Sequence, residues 1–191
     1  MKKLILASSS PRRAELLKQI GLNFEIRVGC VDEPLLPGLS PPELVECLAE
    51  RKAAAVARDL NDGIVIAADT VVVWQGQVLG KPLNGEEAFD MLSRLQGSAH
   101  EVLTGVALID ARSGKVLVEH EKTRVFFRAM EDEEIGRYVA SGEPLDKAGS
   151  YGVQGLAAIF IKRLEGCYTN VVGLPLARLA QMLKVFGYKV L

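Results

Sequence analysis

The stretch Ile64-Val65-Ile66-Ala67-Ala68-Asp69-Thr70-Val71-Val72-Val73 constrains the fold more than any other part of this chain. A run so apolar and so rich in β-branched residues suits a central strand covered on both faces, as in an α/β sheet. Asp69 and Thr70 interrupt it. A carboxylate inside such a strand has a large desolvation cost unless it meets a metal, a cation or several donors. Asp69 is therefore read as a site residue in preference to a structural aspartate capping a turn.

A second apolar run, Leu4-Ile5-Leu6-Ala7, ends in Ser8-Ser9-Ser10-Pro11-Arg12-Arg13. Ser10 is a candidate N-cap and Pro11 suits the first helical turn, which predicts strand, turn and helix ending near Gly21. Two arginines in a first turn oppose the helix dipole, and a bound anion removes the conflict. A phosphate beside Ser8, Arg12 and Arg13 is the expectation. The glycine-rich run and lysine of a Walker loop are absent.

The remaining elements follow from local signals. A strand is expected from Phe24 to Val31, leading into Asp32-Glu33-Pro34. Ser40 and Glu43 form a capping box for a helix from Pro41 to about Leu60, with Lys52 on or beside its apolar face. Gln75-Gly76 turns the central strand into a hairpin that returns through Val78-Leu79 to Gly80-Lys81-Pro82. Asn84 caps a helix stopped by Gly97, strands are expected at Glu101–Ile109 and Val116–Phe127, and Glu131–Ala140 reads as a short helix. A glycine-containing loop occupies 143–155. A strand over Leu156–Leu164, a loop through Asn170, a helix near Pro175–Phe186 and a last strand complete the expected order.

With 191 residues, 49% of them hydrophobic and 25% charged, the chain suits one globular domain over residues 1–191. A net charge of −1 gives broad nucleic-acid binding no global electrostatic support, so any phosphate site is local. Cys30, Cys47 and Cys167 are odd in number and dispersed, which fits neither a disulfide framework nor a zinc site. The N-terminal apolar run is too short for a signal peptide or a membrane span, and a reduced cytoplasmic setting is expected. His100 and His120 lack metal-ligand spacing, and the serines lack a nucleophile-elbow setting.

In an α/β sheet, polar groups at strand ends and in the loops after them converge in one crevice. Asp32-Glu33 and Asp69 supply hard oxygens for Mg²⁺ or Mn²⁺, and the cations suit phosphates. Hydrolysis of a phosphoanhydride needs charge neutralisation, an aligned water and a base. Asp69 is the candidate proton acceptor, directly or through a metal-bound water, with Glu33 holding the metal.

These pieces together resemble the Maf family of nucleoside triphosphate pyrophosphatases, long called septum formation inhibitors. The matching segments are Leu6–Arg13 with Leu16-Leu17, Asp32-Glu33, Glu50-Arg51-Lys52-Ala53, Ala68–Val72, Gly80-Lys81-Pro82 and Gly149–Gly155. The resemblance implies an α/β fold with an elongated mixed central sheet, flanking helices and a deep cleft, related to inosine triphosphate pyrophosphatases. It implies cleavage between the α and β phosphates with a divalent metal. It makes Asp69 the proton acceptor and Glu33 a metal or water partner, and assigns Arg13, Lys52 and Lys81 to the phosphates. A homodimer is implied as well.

Within the family, Arg12, Thr70 and Gln154 resemble the branch acting on dTTP and UTP, as does Asp146-Lys147-Ala148-Gly149. A neutral amide pairs with a pyrimidine's carbonyl and N–H edge, whereas a cationic 7-methylguanine favours a carboxylate. The expected activity is house-cleaning hydrolysis of dTTP, UTP and modified pyrimidine nucleotides, with a link to cell-division arrest. The alternatives are a 7-methyl-GTP pyrophosphatase of the sister branch and a non-catalytic, nucleic-acid-binding regulator of septum formation.

Overall fold

The computed structural model describes residues 2–29 and 38–191. Its central element is the apolar run, which forms the eleven-residue strand β3 (Ile64–Trp74). Ile64 through Ala68 are fully buried, and Asp69 and Thr70 are half-buried. Strands β1 (Leu4–Leu6) and β2 (Phe24–Ile26) lie parallel, β1 pairing with both β2 and β3. β4 (Gln77–Leu79) returns antiparallel on β3 after the turn at Gln75-Gly76. With β5 (Ala99–Asp110), β6 (Val116–Phe127) and β7 (Ile161–Glu165), they make a seven-stranded mixed sheet of order β2-β1-β3-β5-β6-β7, β4 pairing with β3. Helices flank it, as expected of an α/β fold.

The chain divides into two compact units, drawn from separated stretches of sequence. The first comprises Met1–Asp69, Thr104–Glu121 and Gly173–Leu191. Helix α1 (Pro11–Gln19) buries Ala14, Leu16 and Leu17 here. Helix α2 (Pro41–Ala57) starts at the expected capping box, where the Ser40 N–H donates to Glu43 Oε2 at 2.8 Å. Its small residues Ala49, Ala53 and Ala57 pack with Ile5, Val65, Ala67 and Ala107. The approach is close enough that a Cβ on Gly105 of β5 would lie 2.2 Å from the Val45 carbonyl oxygen, so only glycine fits there.

The second unit comprises Thr70–Leu103 and Lys122–Val172. Helix α3 (Gly85–Leu95) is capped by Asn84, whose Oδ1 accepts from the Glu87 N–H at 2.9 Å. Met91, Leu92 and Leu95 of α3 meet Val102, Val125, Phe127 and, from helix α4 (Asp132–Ala140), Ile135 and Tyr138.

Four expectations require correction, the first being the strand expected from Phe24 to Val31, which among the described residues ends at Ile26. Leu156–Phe160 forms 3-10 turns instead of strand, and β7 begins only at Ile161. Ala157 and Phe160, three residues apart, are buried, while Leu156 and Ile159 are exposed, the signature of a three-residue repeat. The segment through Asn170 contains the short helix α5 (Tyr168–Val172). Among the described residues no strand follows helix α6 (Leu176–Val185). Instead Gly187, at φ +72°, ends that helix, with the Tyr188 N–H donating to the Leu183 carbonyl at 3.0 Å. No helix among the described residues is long and apolar enough to cross a membrane.

Candidate active site

In the first unit, the pairing of β1 with β3 brings two sequence-predicted segments side by side. Leu6 lies opposite Ile66, and the Ala7 N–H donates to the Ile66 carbonyl at 2.8 Å. The serine-rich turn thus leaves the carboxyl end of β1 next to the part of β3 that carries Asp69, a position where α/β sheets bind ligands. Ser8 is buried, and its Oγ accepts from the Ser10 N–H and from Arg13 Nη1, each at 3.2 Å. Arg13 Nε donates to the Gly173 carbonyl at 2.8 Å. Ser10 occupies the N-cap position as expected, but its side chain makes no capping hydrogen bond. Ser8 instead organises the turn, and Arg13 braces it. Arg12 is half-buried on the same helical turn.

Helix α2 supplies the second pairing. Lys52 Nζ lies 2.5 Å from Asp69 Oδ1, and the two side chains are 21% and 13% exposed. The lysine's stem runs along the apolar face, but its head is on the carboxylate and not simply in water. This answers the desolvation cost of Asp69 with a charge-assisted hydrogen bond. Glu33 lies outside the described residues. Among the described residues no cluster of three or more histidine, cysteine, aspartate or glutamate side chains could hold a metal. Asp69 is a partly exposed hard oxygen donor, which fits a divalent ion that takes one or two carboxylates and completes its shell with phosphate oxygens and water.

In the second unit, Thr70 follows Asp69 on β3, and Lys81 is exposed just after β4. The carbonyl of Gly80 accepts from the Gly149 N–H at 2.9 Å, which ties the lysine's segment to the glycine-containing loop. Gly149 has φ +66°, and a Cβ there would be 2.7 Å from Val72 Cγ2, so the contact requires glycine. Ser150 also has positive φ and is fully buried. Gln154 is exposed farther along this loop.

Sequence reasoning missed the supports of that loop. Tyr151 is buried, with its Oη 2.7 Å from Nε2 of His100, and both rings meet Phe127 edge-on. His100 is 2% exposed, and among the described residues its Nδ1 has no hydrogen-bond partner. Burial lowers its pKa to about 4, so it stays neutral at physiological pH. Glu143, Tyr138 and Lys147 also contact the loop. A carboxylate, a buried aromatic and a lysine just before a glycine-rich loop were the available signal. His120 pairs with Glu46 at 2.7 Å in the first unit.

Comparison with known proteins places this chain in a family. The Maf-like protein profile matches residues 3–186. The chain belongs to the Maf-like protein family. A dTTP/UTP pyrophosphatase of Pelotomaculum thermopropionicum is 65% identical over 191 residues, covering all of both chains. One of Desulforamulus reducens is 56% identical over 190 residues, again covering all of both. Among solved structures, a HAM1 protein from Coxiella burnetii aligns over 97% of this chain and 100% of its own, with a TM-score of 0.50 and 15% identity. That likeness concerns the fold alone. The Maf-like segments quoted from the sequence all lie inside the matched range.

Proposed function

We propose that this chain hydrolyses dTTP and UTP to the nucleoside monophosphate and pyrophosphate, in the cytoplasm, as a house-cleaning enzyme. The observation that carries the reading is the pairing of Lys52 on α2 with Asp69 on β3, beside the turn braced by Ser8 and Arg13. The names of the two full-length relatives support the choice of substrate.

In the proposed reaction a water attacks the α-phosphorus, the bond to the bridging oxygen breaks, and pyrophosphate leaves. Asp69 accepts the proton the water loses. Lys52 holds Asp69 by Oδ1 and places a positive charge where the phosphates are expected. Arg13 and Lys81 add further positive charge, and Ser8 shapes the turn. Arg12, Thr70 and Gln154 select the base. Mg²⁺ or Mn²⁺, held by Asp69 and Glu33, would neutralise phosphate charge when bound. The enzyme works as a homodimer in this reading.

The test is pyrophosphate release, with Mg²⁺ or Mn²⁺, from dTTP, UTP, dCTP, CTP, GTP and 7-methyl-GTP. Turnover of dTTP and UTP that is lost in a folded Asp69→Asn variant is the expected result. Preference for 7-methyl-GTP would overturn the assignment of Arg12, Thr70 and Gln154. Absence of turnover, with tight salt-sensitive binding to DNA, would replace the enzyme with a binding regulator.

A further inference from the structure

Gln154 is the third residue of the turn Gly152-Val153-Gln154-Gly155, closed by the Gly155 N–H donating to the Gly152 carbonyl at 3.2 Å. The carboxyl end of this turn is held by Glu143, and Glu143 by Tyr138. Glu143 Oε2 accepts from the Leu156 N–H at 2.9 Å, and its Oε1 accepts from Tyr138 Oη at 2.9 Å. Burial and the adjacent Glu143 carboxylate push the Tyr138 phenol far above its ordinary pKa, so it remains a donor at every working pH.

The fit is close. A Cβ on Gly155 would sit 2.2 Å from Glu143 Oε1, and one on Gly152 would sit 2.7 Å from Lys147 Cε. Lys147 Nζ donates to the Glu143 carbonyl and to Asp146 Oδ1, each at 2.7 Å. The two glycines flanking Val153 and Gln154 are therefore the places where the clasp touches the backbone, while Gln154 itself stays exposed.

We propose that Glu143 is a positioning residue for base selection: anchored on Tyr138, its carboxylate fixes the turn that presents the Gln154 carboxamide to the pyrimidine edge. The proposal rests on the reading of Gln154 given above. A carboxamide donates from one side and accepts on the other, and by flipping it can match cytosine as well as uracil or thymine. Preference for dTTP over dCTP therefore depends on an amide held in one place and one orientation. A loosened turn loses that preference before it loses the ability to hydrolyse.

The experiment measures kcat and KM for dTTP and dCTP with the wild-type chain and with Glu143→Ala, Tyr138→Phe and Ile135→Val. The expected result is about a tenfold fall in the dTTP-to-dCTP ratio of kcat/KM for Glu143→Ala, carried mainly by KM for dTTP. Tyr138→Phe keeps the ring and loses the anchoring hydroxyl, and moves the same ratio by about threefold. If Glu143→Ala does not fold, Tyr138→Phe decides alone. Ile135→Val loosens the core of α4 without touching the clasp and leaves the ratio where it was. An unchanged ratio in a folded Glu143→Ala, or an equal shift in Ile135→Val, would overturn the positioning role. A wild-type chain with no preference for dTTP would overturn that role together with the reading of Gln154, so the two failures are told apart.

Discussion

His100 gives the second unit a pH-dependent stability whose size follows from its surroundings. The ring lies against Tyr151 and Phe127, its Nε2 is engaged with the tyrosine hydroxyl, and its Nδ1 has no hydrogen-bond partner among the described residues. Protonation puts an N–H on both ring nitrogens, and the one at Nδ1 has no acceptor. Burial holds the folded-state pKa at about 4, against 6.5 for the free side chain. The fold thus selects the neutral form. The stability this contributes is fully present above the unfolded value, drains away as pH falls from 6.5 towards 4, and is constant below.

At about pH 5 the unfolded histidine is almost wholly charged and the folded one almost wholly neutral. With roughly 1.36 kcal/mol per pKa unit, the difference between about pH 7.5 and pH 5 comes to about 2 kcal/mol. The assay is urea unfolding at both values, followed by the fluorescence of the sole tryptophan, Trp74, which belongs to the same unit. His100→Gln removes the titration but keeps a hydrogen-bonding side chain for Tyr151. The variant is less stable than wild type at neutral pH, yet loses about 2 kcal/mol less on acidification. Every other titratable group is common to both proteins and cancels in the comparison. Equal pH dependence in the two, to within about 0.5 kcal/mol, would refute the assignment of the acid-sensitive step to His100.

Two further outcomes follow from single contacts. Lys52→Met keeps the stem on the face of α2 but leaves Asp69 Oδ1 without its ammonium; it should cost roughly 1–3 kcal/mol in thermal or urea unfolding and lower pyrophosphate release at least tenfold. Gly105→Ala drives a methyl into the Val45 carbonyl of α2 and should cost about 3 kcal/mol or more, read as a lowered Tm; retained wild-type stability would mean that α2 can move off β5 cheaply.

Elements whose cause is local were legible in the sequence. The β-branched run became β3, Ser40 with Glu43 began α2, and Asn84 capped α3. Where a local signal supported two periods, it misled. Leu156-Ala157-Ala158-Ile159-Phe160 reads as strand by composition, but a wedge of Glu143 at Gly155 and Leu156 starts a tighter coil that turns Ala157 and Phe160 inward together. The C-terminal residues failed as a strand because the left-handed Gly187 spends the next N–H groups on the end of α6.

The site was legible as an inventory and not as a set of pairs, for a physical reason. Spacing along a helix or strand tells which face a side chain occupies, but partner choice depends on how distant segments pack. Lys52 lies on the apolar side of α2 by periodicity alone, yet only the pairing of β1 with β3 and the packing of α2 on them bring its ammonium to Asp69, 17 residues away. In sequence Ser8 is the first of three consecutive serines. The structure separates it from the others because it is buried, and because Arg13 reaches both its Oγ and the Gly173 carbonyl, 160 residues on. A buried carboxylate in an apolar strand forecasts that a partner exists, because the desolvation cost must be met. It does not forecast which cation, and at Asp69 that identity sets the chemistry: a lysine on Oδ1 supplies positive charge beside the carboxylate that is proposed to accept the proton.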